Sequence, residues 1–222
     1  DDFLISKSRL KEFIKALNDR GIKKRYLIYG RADFIADNPM LIKDFRKAGL
    51  RTIIVGLESF DDTELNRFNK QTSSNINMRA MEVMNKYNVD CYAAVIISPA
   101  WSSEDFKKAG DIMTELGIKF VNLQPLTPLK GTGITIKEED LVISRNDFAK
   151  WDLAHVAIRP EKMSLEQFYS NILNLYVRII QNPKNFIRNL KYPLNMQLRM
   201  AGGLRRVKKQ YQKRIREVSD NA

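Results

Sequence analysis

Along the first 125 positions, short unbroken apolar runs alternate with stretches whose apolar residues recur at a period near 3.6. Leu10, Phe13, Ile14 and Leu17 stand at i, i+3, i+4 and i+7, which predicts an amphipathic helix begun at Ser6 or Ser8 and stopped at Gly21. Arg25 to Tyr29 is aromatic and β-branched and predicts a buried strand. Asn38-Pro39 then caps a second helix with Leu41, Ile42, Phe45 and Ala48 inward and Gly49 at its end. Thr52 to Val55 predicts the next strand, ended by Gly56. A short acidic turn from Asp61 follows, then a helix over roughly 75–87 with Ala80, Met81 and Met84 on one face. Cys91 to Ile97 predicts another strand. A helix begun at Ser102 carries Phe106, Ala109, Ile112, Met113 and Leu116 and stops at Gly117, and Phe120 to Leu123 forms a further strand. The opening Asp1 to Ile5 reads as the end of a strand.

Strands and helices alternating through short connections imply α/β architecture with a parallel sheet, either a barrel or a doubly wound sheet. The strands lack polar alternation, as expected of a sheet covered on both faces. From Pro125 the alternation fades. Leu126 to Glu139 is rich in Pro, Gly and Thr and reads as a loop of active-site size, and Trp151 to Arg159 is expected to add a strand. Ser164 with Gln167 forms a capping-box pattern for a helix running to about Gln181. Pro183 and Pro193 then divide a short helix from a long basic one. Four strands and a fragment are too few for an eight-stranded barrel, so the chain is expected to be a piece of something longer. Its expected division is a barrel core over 1–140 and a helical, basic extension over 141–222.

Composition changes this picture little. Of 222 residues, 44% are hydrophobic, which suffices for a sizeable core, and 38 Lys and Arg against 26 Asp and Glu leave a net charge of +12. Such a balance attracts phosphates, nucleic acid or acidic lipid without defining a site. The lone Cys91 excludes an internal disulfide and fits a reducing cytoplasm. No apolar run approaches the roughly 20 residues of a membrane span, although peripheral membrane association stays open.

In parallel α/β folds ligands gather where the strands end and the loops converge. Each strand here is followed by polar residues at that edge: Asp1 and Asp2, Arg31 and Asp33, Glu58 and Ser59, Ser98, and Gln124. An arginine can clamp a carboxylate with two hydrogen bonds, and Glu or Ser can bond ribose hydroxyls. The set suits a zwitterionic, ribose-bearing ligand. The plain alternative is that Arg31 pairs with Asp33 or Glu58.

A series of motifs runs along the chain: Asp1-Asp2-Phe3, Gly30-Arg-Ala-Asp-Phe34, Gly56-Leu-Glu-Ser-Phe60 with Glu64 to Lys70, Ser98-Pro-Ala-Trp-Ser-Ser-Glu-Asp-Phe106, Gln124 to Thr132, and Trp151 to Pro160 with Met163 and Tyr169 beyond. Their order resembles the radical S-adenosylmethionine superfamily, most closely its branch with an N-terminal cobalamin-binding domain. Each is weak alone, but together they cover roughly residues 1–180 in family order. The resemblance implies a partial six-stranded TIM-like barrel with its first strand missing, followed by a helical C-terminal extension. It implies an enzyme that reductively cleaves S-adenosylmethionine to a 5′-deoxyadenosyl radical and acts on a small organic or lipid-like substrate, with cobalamin-dependent methyl transfer as one outcome. It also implies a 4Fe-4S cluster held by a C-x-x-x-C-x-x-C loop, and a reductant such as flavodoxin or ferredoxin. By the same resemblance Asp1 and Asp2 lie near the methionine amine, Arg31 near its carboxylate, Glu58 and Ser59 near the ribose, and Ser98 by the adenine, with Gln124 a further cofactor contact.

The sequence departs from the family pattern in having no three-cysteine loop, so this chain by itself is expected to bind no cluster and to be inactive. No cobalamin-binding segment is visible, and Lys130 stands where family members often carry proline. Two other readings compete. An RNA-binding or RNA-modifying module would use the basic tail, from Arg199 to Arg216. A barrel hydrolase or aldolase would need Lys70 or Lys130 with a depressed pKa. His155, the single histidine, reads as structural. Met78, Met81 and Met84 read as packing, and Tyr26, Tyr29, Phe34 and Phe60 read chiefly as core, with a pocket-lining role left open.

Overall fold

The computed structural model describes residues 3–67, 73–190 and 192–220. Asp1, Asp2 and Lys70, together with the end of the Glu64 to Lys70 motif, lie outside them. The chain divides into two compact units, one of Asp1–Val95 with Glu115–Asn122, the other of Ile96–Thr114 with Leu123–Ala222.

The first unit follows the predicted alternation. Helix α1 (Lys7–Asp19) starts where Ser6 accepts a hydrogen bond from the Arg9 amide, and it buries Leu10 and Leu17. Strand β1 (Tyr26–Gly30) leads to α2 (Ala32–Asp37), a short helix with no counterpart in the periodic reading because six residues hold too little pattern to detect. Pro39 opens α3 (Pro39–Ala48), whose inward face buries Ile42 and Phe45. Gly49 ends that helix at φ 126, and a Cβ there would stand 2.1 Å from the Lys24 carbonyl, so only glycine fits the reversal into β2 (Leu50–Glu58). The acidic turn at Asp61 is the start of a short helix, α4 (Asp62–Arg67), and α5 (Ser74–Lys86) leads into β3 (Asp90–Ile97).

The sheet has the order β1-β2-β3-β4, where β4 is Phe120–Pro125, and both β1 and β3 pair parallel with β2. Leu4 makes a parallel bridge to Gly30, so the opening segment does end at the sheet. In the first unit, α2 and α3 pack against β2, and Ile53, Val55 and Leu57 are fully buried on the covered side. The opposite side is less covered. Tyr29, Ile54 and Tyr92 lie in register across β1, β2 and β3, and Tyr29 is exposed. Near the other end of β3, the side chains of Asp90 and Lys119 form a buried ion pair.

The second unit is mainly helical: α6 (Ser103–Glu115), α7 (Leu165–Ile180), α8 (Pro183–Asn189) and α9 (Leu194–Ser219). Ser102 and Asp105 cap α6 reciprocally, each accepting from the other's backbone N–H. The predicted Ser164–Gln167 capping box starts α7. Phe106 stands edge-on to both Trp101 and Phe168, and Tyr211 of α9 packs on Tyr169 and Tyr176 of α7.

The strand expected over Trp151 to Arg159 does not form. Ile158 makes a single antiparallel bridge to Leu141. The Asp152 carboxylate instead accepts the amides of Ala154 and His155, and Leu153 adopts φ 61. A local side-chain cap of that kind diverts the backbone from a sheet ladder.

Candidate functional site

The end of β2 is shaped by an irregularity that aims one carboxylate. Residue register with β3 shifts between Gly56 and Glu58, which leaves Leu57 as the extra residue of a bulge. Glu58 itself takes φ 61, a left-handed conformation that costs a non-glycine residue free energy and is concentrated at functional sites. Its side chain folds back over the strand. A Cβ on Gly56 would come within 2.6 Å of Glu58 Oε1, so the missing side chain at position 56 makes room for the carboxylate.

The neighbouring turn is tied at every point. The Ser59 amide donates to the Leu57 carbonyl at 2.7 Å. Ser59 Oγ, buried, donates to Glu64 Oε2 at 2.6 Å and accepts from the Asp61 amide at 3.0 Å. From α5, the Asn77 amide nitrogen donates to the carbonyls of Leu57 and Ser59 at 2.8 and 3.1 Å. Both contacts are to carbonyls, which fixes which end of the amide faces the turn. Asn77 is fully buried, and its Oδ1 has no hydrogen-bond partner among the described residues. Sequence reasoning passed over Asn77. The signal was present: a polar residue three and four positions before Ala80 and Met81, on the face those residues bury.

Arg31 follows β1 and caps α2. Its guanidinium holds Asp33 through Nε at 3.1 and 3.2 Å and Nη2 at 2.8 Å, which is the pairing the sequence left open. The Arg31 hydrogen bond is the main reason that the Asp33 carboxyl is held below the usual carboxylate range. Glu58 and Ser59 are thus neighbours at the end of β2, and Arg31 follows the strand paired beside it.

Ser98 and Gln124 belong to the second unit. Ser98 follows β3 and is buried; its Oγ accepts the Ala100 amide at 3.3 Å and its carbonyl accepts the Trp101 amide at 3.1 Å. Gln124 lies half-buried in β4. The second unit also carries a cavity of about 590 Å³, lined among others by Pro128, Leu129, Lys130, Ile134, Phe148 and Trp151. Phe148 is 81% exposed, and Trp151 is fixed by its indole N–H donating to the Ser144 carbonyl at 2.9 Å.

His155 is held in a structural cluster. Its Nδ1 lies 3.0 Å from Asp152 Oδ1, and Arg214 reaches the Ala154 carbonyl at 2.9 Å and Asp152 at 3.7 Å. The residues present do not fit an iron–sulfur cluster. Cys91 is buried in β3, and burial, followed by the Asp90 charge, pushes its thiol up to about 12. No group of three His, Cys, Asp or Glu suited to a metal occurs among the described residues.

Comparison with known proteins adds relatives. The chain is 27% identical over 162 residues to the hopanoid C-3 methylase of Methylococcus capsulatus, covering 73% of this chain and 31% of that protein. It is 23% identical to the bacteriochlorophyllide d C-8(2)-methyltransferase of Chlorobaculum tepidum, with 85% and 42% covered. It is 24% identical to the anaerobic magnesium-protoporphyrin IX monomethyl ester cyclase of Cereibacter sphaeroides, with 78% and 29% covered. The chain therefore spans only 29–42% of these enzymes' lengths. Among solved structures it is similar to the cobalamin-dependent S-adenosylmethionine radical enzyme OxsB (TM-score 0.43, 19% identity, 48% of this chain and 16% of that one). It is also similar to the radical S-adenosylmethionine methyltransferase TsrM from Kitasatospora setae (TM-score 0.42, 12% identity, 54% and 24%). No protein-family profile matches the chain.

Proposed function

We propose, for a chain whose relatives are two methyl-transferring enzymes and a cyclase, that it is part of the catalytic region of a radical S-adenosylmethionine enzyme. The observation that carries this reading is Glu58: a bulge, a left-handed backbone and a glycine two residues earlier aim one carboxylate at the end of a parallel strand. The half-covered sheet face with Tyr29, Ile54 and Tyr92 supports a partial barrel whose interior is that face.

In the proposed site Glu58 accepts the ribose hydroxyls, and Ser59, whose own hydroxyl is engaged with Glu64, positions the turn. Arg31 binds the methionine carboxylate, and Asp33 holds the guanidinium in place for it. Asp1 and Asp2 are proposed for the methionine amine, and Ser98 and Gln124 as further cofactor contacts, on the family resemblance alone. S-adenosylmethionine, once bound, supplies the group that is cleaved. The cluster that drives cleavage, and cobalamin where it serves, would be held by parts of the protein other than these residues.

The cavity bounded by Phe148 and Trp151 supports a small organic or lipid-like substrate, since an apolar wall with a few polar groups is how such pockets are built. The RNA-binding alternative gains no support from the relatives.

The test is an anaerobic assay of the full-length protein with its cluster reconstituted, given S-adenosylmethionine and a low-potential reductant. Formation of 5′-deoxyadenosine or S-adenosylhomocysteine, lost on Glu58→Ala, is the expected result. Neither product from cluster-loaded protein would overturn the proposal.

A further inference from the structure

The excess positive charge of this chain is confined to one segment. Residues 167–216 contain twelve Lys and Arg and no Asp or Glu. Outside that stretch the remaining 26 Lys and Arg are balanced by all 26 Asp and Glu. The net charge of +12 is thus the charge of residues 167–216.

Within the segment the aliphatic side chains split into two sets. On α9 the inward positions recur at helical spacing, and Tyr211 among them is buried against Tyr169 and Tyr176 of α7. The outward set begins with leucines. Leu194 and Leu198 are 70% and 65% exposed, one turn apart. Just before them Ile187 and Leu190 are 68% and 57% exposed. Continuing along the outward stripe from Leu194 and Leu198, helical spacing brings up Arg205, Lys209 and Arg216, all exposed. A helix clamped by its inner face therefore offers solvent an aliphatic knuckle at one end and a row of cations along the rest.

We propose that α8 and the outer face of α9 dock on an anionic lipid bilayer. Branched aliphatic side chains next to an acid-free cationic stripe match the headgroup boundary, where apolar side chains enter the acyl region and cations meet phosphate. Nucleic acid would reward cations and aromatic stacking surfaces, and leaves four exposed aliphatics without a partner. No helix among the described residues is long and apolar enough to cross a membrane, so the contact is one of lying on the surface. The proposal is independent of the S-adenosylmethionine reading, because none of its residues belongs to the Glu58 site.

The test is sedimentation of the full-length protein with vesicles of phosphatidylcholine, with and without phosphatidylglycerol, alongside a single-stranded RNA oligonucleotide. The protein is expected to pellet with the anionic vesicles only, less so as salt is raised. Arg205→Gln with Lys209→Gln should weaken partition about fivefold per charge removed. Leu194→Ser with Leu198→Ser, both exposed and so compatible with an unchanged circular dichroism spectrum, should weaken it about tenfold or more. Absence of binding to anionic vesicles at low salt would overturn the proposal. So would vesicle binding that is indifferent to the leucine pair, or RNA binding of equal strength that the leucine pair leaves intact.

Discussion

Asn77 holds Glu58 from behind: its buried amide nitrogen bonds the carbonyls on either side of that residue, at Leu57 and Ser59, over 2.8 and 3.1 Å. One side chain on α5 thereby fixes the backbone that presents the carboxylate at the end of β2. Asn77→Ala removes the side-chain donor from both carbonyls, leaving that of Leu57 with the Ser59 amide, and should cost about 1–3 kcal/mol. Asn77→Asp faces a carboxylate with two carbonyls and should cost at least as much. Urea unfolding midpoints check both, and unchanged stability in the alanine variant would refute the role assigned to Asn77.

Gly56→Ala tests the same turn from the front. The added methyl would meet the mobile end of the Glu58 side chain, with Oε1 at 2.6 Å. Stability should change by less than about 1 kcal/mol, because a carboxylate can swing where a backbone cannot. S-adenosylmethionine affinity, measured by calorimetry, should fall by about tenfold or more as the carboxylate leaves its place. A large stability loss with unchanged affinity would contradict the reading.

The Arg31–Asp33 pair should give a pH signature. Arg31 holds the Asp33 carboxyl below its ordinary value, so the pair contributes stability that is present above the unfolded pKa of about 3.9 and lost as pH falls through the lower folded value. The pair is more than a third exposed, and its contribution is about 0.5 kcal/mol. Asp33→Asn should therefore be slightly less stable than the parent at pH 7, with the gap closing below about pH 4. Paired thermal melts across that range decide it, and a gap that widens in acid would reverse the sign.

The buried Asp90–Lys119 pair is expected to be costly to break and cheap to replace. Asp90→Asn leaves a buried ammonium without its countercharge and should destabilise by about 3–5 kcal/mol. The double substitution Asp90→Leu with Lys119→Met should recover most of that loss. Calorimetric melting of the two variants separates a structural pair from an indispensable one.

Cys91 should be silent in the folded protein. With its thiol pushed up to about 12 by burial, it should resist iodoacetamide at pH 8 in buffer and react within minutes in guanidinium chloride. Rapid labelling of the native state would show β3 to be open.

The chain itself determined the alternation of strands and helices, because local signals set it: periodic apolar faces, Ser caps at 6, 73 and 164, Pro39 at a helix start and Gly49 at a helix end. It also placed Arg31, Glu58 and Ser59 at strand ends, since that follows from where the runs stop. It could not supply α2, too short to show a period, nor the loss of the strand at Trp151 to Arg159, where the Asp152 side chain competes with sheet pairing. Tertiary structure decided the rest. The bulge at Leu57 exists only in register with β3, the left-handed Glu58 is held by an amide eighteen and twenty residues away from the carbonyls it bonds, and Arg31 meets Asp33 only once α2 has formed. Elements are set by residues near in sequence, whereas the aim of a side chain at a site is set by partners that only folding brings within hydrogen-bond reach.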